Sequence, residues 1–198
     1  AIYDTKNALN GEQRLATEKS KDLKLIKGLK DLNKAQLEDV TNKVNAANTL
    51  TELSQLTQST LELNDKMKLL RDKLKTLVNP VKASLNYRNA DYNLKRQFNK
   101  ALKEAKGVLN KNSGTNVNIN DIQHLLTQID NAKDQLNGER RLKEHQQKSE
   151  VYVIKELDIL NNAQKAAIIN QIRASKDIKI INQIVDNAIE LNDRSEER

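Results

Sequence analysis

The chain repeats itself, and that most constrains its fold. Residues 28–65, "GLKDLNKAQLEDVTNKVNAANTLTELSQLTQSTLELND", align with residues 156–193, "ELDILNNAQKAAIINQIRASKDIKIINQIVDNAIELND", at an offset of 128. Leu29, Leu32, Asn33, Ala35, Gln36, Asn42, Ala46, Gln55 and the closing Glu62-Leu63-Asn64-Asp65 have identical counterparts. Val40, Val44, Leu53, Leu56 and Leu61 change only to isoleucine. A second pair, "ALNGEQRL" at 8–15 and "QLNGERRL" at 135–142, recurs at an offset of 127. A unit written twice in one chain implies small modules in series, each packing mainly on its neighbours.

The modules are expected to be helical. With 5 Gly and 1 Pro in 198 residues, positions built for sharp turns are scarce. Aromatics make up 3% and Trp is absent, so a core of Leu, Ile, Val and Ala suits narrow bundles. Asn33 with Gln36 has the spacing of a capping box, and Leu32 with Leu37 that of a hydrophobic staple. The second copy keeps Asn161 and Gln164 but has Lys165 in the staple position, which predicts a weaker cap. Thr49 with Glu52 predicts the next helix start, for which the second copy offers only Asp177.

From there Leu53, Leu56, Thr60, Leu63, Met67, Leu70, Leu74 and Leu77 alternate steps of three and four, a stripe that one helix can carry from the first unit into the next. Asn79-Pro80 is expected to kink that helix or restart it. Leu94, Phe98, Ala101, Ala105 and Leu109 mark a further helix, ended by the loop "NKNSGTNVN" at 110–118. Ile122, Leu125, Ile129, Ala132 and Leu136 mark another, expected to run straight into the second octet. The stripe also suits an intermolecular coiled coil, but short connections favour antiparallel packing within one chain and a monomer.

Chemistry finds little footing. The net charge is +7, yet 34 basic and 27 acidic residues are interleaved along the chain, the pattern of solvated helix faces and not of a phosphate-tracking stripe. "YRNADYNLKRQF" (87–98) mixes Tyr87, Tyr92 and Phe98 with Arg88, Lys95 and Arg96, the ingredients for stacking on single-stranded nucleic acid. With five Tyr and Phe in all, those rings are assigned to the core of the middle module, and nucleic-acid binding, which would be steeply salt-dependent, ranks last among the binding classes. The two histidines, His124 and His145, have no recurring carboxylate companion, and the glycines do not cluster, so no catalytic residue, metal site or cofactor is expected. Cysteine is absent, which leaves the compartment open. No apolar run spans a bilayer, and "AIYDTKNALN" lacks a signal-peptide layout, so for an exported parent this would be an internal piece.

"LNKAQ" (32–36), "LNNAQ" (160–164), the closing "LND" at 63–65 and 191–193 and "LNG" at 136–138 together resemble the tandem GA/FIVAR repeats of giant staphylococcal matrix-binding surface proteins. "SLNYRNADYNLKRQFNKALKEAKGVLN" (84–110) is similar to the FIVAR half. The resemblance implies a GA-like module at 1–66, a FIVAR-like one at 67–137 and a GA-like one at 138–198, each a three-helix bundle. It also implies a fragment of a surface protein that contacts host matrix, with fibronectin-type ligands, anchored at the bacterial envelope by a C-terminal segment absent here. The alternative is a dedicated binder of albumin or another serum protein.

One difference between the copies bears on ligands. Glu38, Asp39, Thr41 and Glu52 become Ala166, Ala167, Ile169 and Ile180. A widened apolar face marks a contact site, and albumin-binding GA modules use the face around their second and third helices, so Ala166, Ile169 and Ile180 are the candidate ligand residues. The plainer reading is a broader core.

The architecture expected is all-α, an elongated rod of tandem three-helix bundles joined by shared or continuous helices. The octets mark the joints, with Gly11 and Gly138 in exposed junction helix or at a frayed helix end. Their offset of 127, against 128 for the boxes that follow, places a one-residue insertion in or near the polar run 139–149. Three bundles of helices about 25 residues long give a rod of about 120 Å. Small-angle scattering should return that maximum dimension, and a radius of gyration near the ~16 Å of a compact globule of this length would refute it.

Overall fold

A computed structural model describes residues 2–196, with side chains over 10–194. The first two side chains of the first octet therefore lie outside the described residues. Among the described residues there is no strand. In chain order the helices are α1 (Ile2–Lys27), α2 (Lys34–Ala46), α3 (Leu50–Ala83), α4 (Leu85–Arg88), α5 (Tyr92–Leu109), α6 (Ile119–Asp134), α7 (Gly138–Glu156), α8 (Asn162–Ala174) and α9 (Ile178–Glu196). Two compact units form. One contains α1, α2 and α3 as far as Thr76, with Asn99–Asn131; the other contains Leu77–Phe98 and the chain from Ala132.

In the first unit Ile26, Val40, Val44, Ala47 and Leu53 form a core flanked by Leu15, Leu23, Leu37 and Leu56. The predicted stripe is the inner face of α3. Leu53, Thr60, Leu63, Met67, Leu70 and Leu74 are buried, and Leu56 and Leu77 are half-buried. Thr60, its polar member, is accommodated because its hydroxyl donates to the Leu56 carbonyl at 2.7 Å. Lys73 on α3 pairs with Asp130 on α6 at 2.5 Å.

In the second unit Leu142, Val153, Leu157, Leu160, Ile168, Ile172, Ile181 and Ala188 form the equivalent core. Val40 and Ile168, Val44 and Ile172, and Leu53 and Ile181 are buried at matching places in both copies. The recurring "LND" has a job in each. Asn64 Oδ1 accepts the Asp31 N–H at 3.0 Å, and Asn192 Oδ1 accepts the Ile159 N–H at 3.0 Å, closing the loop between the first two helices of each bundle onto the third.

Several expectations are corrected. The helix α3 passes through Pro80 and stops only at Ala83. Proline removes one N–H there, but a single turn remains beyond it, and the restart is set by Ser84, whose Oγ accepts the Tyr87 N–H at 3.1 Å. Leu126, not Leu125, is buried on α6. The helix does not continue into the second octet either, since α6 ends at Asp134 and α7 begins at Gly138.

The insertion also moves. Leu15 and Leu142, and Ile26 and Val153, join their cores at an offset of 127. Lys19 and Gln146, also 127 apart, reach the equivalent Asn45 and Arg173 carbonyls. The extra residue therefore falls among 154–156, at the C-terminal end of α7, and not within 139–149. An insertion inside 139–149 would have rotated Val153 by about 100° away from the core. At the helix end it rotates nothing buried.

The two octet glycines prove unlike. Gly11 sits in unbroken helix with nothing within 4 Å of the position its Cβ would take. Gly138 is buried, and a Cβ there would stand 2.3 Å from the Asn86 carbonyl oxygen and 2.6 Å from both the Leu85 oxygen and the Ala90 nitrogen. It is a point of close backbone approach, not a frayed or exposed end. Gly138→Ala should destabilise the second unit by about 2 kcal/mol or more, whereas Gly11→Ala should stabilise the chain by up to about 1 kcal/mol through helix propensity. Thermal unfolding of the two variants should shift in opposite directions.

Candidate functional site

The expected ligand face is built on α8 and α9. Asn161 caps α8 through the Gln164 N–H at 2.9 Å, and the Gln164 side chain returns to the Asn161 N–H at 2.9 Å. This capping box has the same geometry as that of Asn33 and Gln36. Lys165, in the staple position, donates instead to the Ile154 carbonyl near the end of α7 at 3.0 Å. On α8, Ala166 is exposed, while Ile169, one turn on, packs against the second core. On α9, Ile180 stands 48% exposed where the first copy has Glu52. Of the three candidates, Ala166 and Ile180 face solvent, and Ile169 takes the broader-core role.

Two further exposed apolar residues escaped the sequence comparison, although its logic reaches them. Val151 occupies the position of Lys24, and Ile159 that of Asp31, and both are exposed. An offset of 127 before the extra residue finds Val151, and the offset of 128 after it finds Ile159. The Ile159 N–H is tied to Asn192, far along α9 from Ile180, so Ile159 belongs to the other end of the bundle. Near this face Arg173 donates to Glu150 at 2.7 Å, and that hydrogen bond raises the guanidinium pKa above its ordinary value.

The first copy uses its box differently. Asn33 and Gln36 are fully buried, because the loop after α5 lies over them. Asn33 Nδ2 donates to the Val108 and Thr115 carbonyls at 3.1 and 2.9 Å, and Gln36 Nε2 donates to the Val117 carbonyl at 3.0 Å. The Lys34 N–H bonds the Lys111 carbonyl at 2.8 Å, and the Lys111 ammonium donates to the Lys30 and Leu32 carbonyls. Burial, and then the nearby Arg71, push the Lys111 pKa below the usual lysine value, with Asp31 partly offsetting them. Gly114 is needed here, since a Cβ on it would lie 2.4 Å from the Val108 oxygen and 2.7 Å from Asn33 Nδ2. The counterpart Asn161 is exposed. Asn33→Ala removes a cap and two buried hydrogen bonds and should cost about 2–4 kcal/mol, against about 1 kcal/mol for Asn161→Ala. Native-state hydrogen exchange, which reads α2 and α8 separately, measures both.

Phe98 is fully buried and meets Tyr87 edge-on at 5.9 Å between ring centroids, with Lys95 Nζ 5.9 Å from the Tyr87 centroid. Tyr92 is 76% exposed, so the assignment of all three rings to the core is corrected for that one. It is the first residue of α5, ahead of the buried stripe that starts at Phe98. His124 is exposed on α6, and the His145 ring bonds Asn182 at 2.6 Å. Among the described residues no group of three or more His, Asp or Glu is placed to hold a metal, and no helix is long and apolar enough to cross a membrane.

Comparison with known proteins accounts for nearly the whole chain. The GA module family matches residues 12–66 and 139–194, and the FIVAR domain family matches residues 66–137. The extracellular matrix-binding protein ebh of Staphylococcus aureus strain MW2 is 33% identical over 191 residues, 96% of this chain, and EbhA of strain Mu3 is equally similar. The chain spans 2% and 3% of the length of those two relatives. In fold it is similar to a crystal structure of residues 756–1003 of S. aureus EbhA, with a TM-score of 0.85 at 24% identity, covering 94% of this chain and 75% of that one. A structure of the Staphylococcus epidermidis extracellular matrix binding protein Embp, studied for that organism's adherence to fibronectin, matches with a TM-score of 0.57 at 21% identity over 63% of this chain and 98% of its own. The chain therefore belongs to the family of GA-module and FIVAR-domain repeats found in the staphylococcal extracellular matrix-binding proteins.

Proposed function

We propose that the chain is a non-catalytic segment of a bacterial cell-surface protein, held at the envelope by a part of the parent outside this sequence, acting as spacer and adhesive contact to host extracellular matrix. Fibronectin is the ligand proposed, and the segment works as a monomer. The observation that carries the reading is the pairing of GA and FIVAR modules over almost the full chain, shared at 33% identity with proteins named for matrix binding. The Embp structure, associated with adherence to fibronectin, supports that ligand. The interleaved charges suit a solvated surface and not one that tracks nucleic acid.

A second reading is favoured by one difference between the copies. Ile180 and Ala166 replace Glu52 and Glu38 and remain exposed, so the second GA module lacks two surface charges that the first carries and shows an exposed isoleucine in place of one of them. That face suits a serum protein such as albumin, the ligand that the GA resemblance implies.

Binding of the full chain to immobilised fibronectin and to serum albumin separates these readings. Fibronectin binding is expected, and Ile180→Glu should weaken binding through the second module at least tenfold while the helical circular dichroism persists. Binding to albumin alone would replace the first reading with the second. Binding to neither would overturn both.

A further inference from the structure

The even interleaving of charge is lost at the end of α1 and in the turn after it. Residues 19–34 hold six lysines, Lys19, Lys21, Lys24, Lys27, Lys30 and Lys34, against two aspartates, Asp22 and Asp31. The matching stretch of the second copy, 146–162, holds Lys148 and Lys155 against Glu150, Glu156 and Asp158. Six cations less two anions leave +4 in the first copy, and two less three leave −1 in the second. Both stretches fold into the same bundle, so the charge is not a requirement of the fold.

Both aspartates are engaged elsewhere. Asp22 accepts the Thr57 hydroxyl at 2.9 Å, and Asp31 pairs with Arg71 at 3.1 Å. Lys19 and Lys21 are committed as well, to the Asn45 carbonyl and to Glu18. Lys24, Lys27 and Lys30 are exposed, and among the described residues their ammonium groups have no partner. Lys34 is also exposed and stands 3.8 Å from Glu38, beyond hydrogen-bond length. Lys27, Lys34 and the loop residue Lys111 line one open cleft above Leu29, Leu32 and Leu37, with Glu38 as its one carboxylate. Lys111 spends two of its three ammonium donors on the Lys30 and Leu32 carbonyls, which holds it at the rim. Burial first, and then Arg71, lower its pKa, and an anion in the cleft would act in the opposite direction.

We propose that this cleft and the lysines along its rim bind a sulfated glycosaminoglycan, resting on the reading of the chain as a matrix contact but not on fibronectin as its protein ligand. Lysine is a compact point charge on a flexible stem. It suits sulfate and carboxylate groups pendant on a flexible polymer, which present no fixed fork for an arginine to match. Lys24, Lys27, Lys30, Lys34 and Lys111 supply five such charges around one cleft, so a short run of a repeating polyanion meets several at once. Nucleic acid fits less well. No aromatic ring and no arginine lines the cleft for a base to stack on, and the nearby Arg71 is held by Asp31. The second copy lacks the set, with Val151, Asp158 and Asn162 in place of Lys24, Lys30 and Lys34, yet it keeps its core and its capping box. The cleft lies at the far end of α1 from Ile2, beside the turn into α2.

The test compares binding of the full chain to heparin, the sulfated glycosaminoglycan used as probe, with binding to double-stranded DNA over a range of salt. Lys30→Asp with Lys34→Asn puts the second copy's residues into the first and removes three charges. Lys143→Asp with Lys148→Asn, on exposed positions of α7, removes three charges elsewhere. The unaltered chain should bind heparin at about 0.15 M salt and DNA about tenfold or more weakly. The first pair should weaken heparin binding about tenfold or more and lower the slope of log K against log salt by about two, one for each lysine. Helical circular dichroism, the unfolding midpoint and fibronectin binding should not change, and the α7 pair should alter heparin binding less than about twofold. Should the first pair lower the unfolding midpoint, Lys24→Gln with Lys27→Gln carries the same expectation. No heparin binding at physiological salt, an equal loss from the α7 pair, or DNA bound as tightly as heparin overturns the proposal. A chain that binds heparin through these lysines but does not bind fibronectin supports it, while overturning fibronectin as the protein ligand.

Discussion

Asparagine side chains that satisfy loop backbone groups hold the connections between these helices. Each helix end leaves N–H and C=O groups without intrahelical partners, and in these loops asparagine side chains meet several of them. Asn64, Asn192 and Asn137 each accept a backbone N–H from a loop elsewhere in their unit. Asn33 and Asn161 cap α2 and α8, and Asn118 caps α6 with Asp121 returning the bond. Asn110 accepts two N–H groups inside the one long loop. Among the described residues no position, glycine included, needs a positive φ. Turns that other folds make with glycine conformations are made here by carboxamides, which is why a chain so poor in glycine and proline can still join the helices from α1 to α9 among its described residues.

The helices and their inward faces were legible because burial in a narrow bundle is strictly periodic. The stripe from Leu53 to Leu77, the loop at 110–118 and both asparagine–glutamine boxes are local signals that local geometry satisfies. What was not legible depends on partners distant in sequence. Gly138 looks like Gly11 until residues 85–90 are packed upon it. Asn33 looks like Asn161 until the loop after α5 covers it. Ile169 and Ile180 look alike as substitutions of polar residues, and only the fold shows that one turns inward and the other out. Pro80 does not restart the helix, because a proline's cost depends on how much helix follows, which the local sequence does not state.

Adhesive surface and structural joint compete for the same few features in a chain like this one. Both are built from exposed groups on quasi-equivalent bundles, and composition treats them alike. The two copies separate them. A position that is identical in both copies, buried in one and bare in the other, as with Asn33 and Asn161, points to module contact. A position that changes character and stays exposed in both copies, as with Glu52 and Ile180, is free of that packing constraint, and it is such a position that the proposed ligand contact would use.

The extra residue at the end of α7 has a consequence for how such arrays diverge. Upstream of it the two bundles keep one register, downstream another, and neither core is disturbed. The last turn of the first helix is therefore a point where a copy can gain a residue without mispacking either core. Length variation among repeats of this kind should gather there, leaving the octet before it and the asparagine–glutamine box after it each in its own frame.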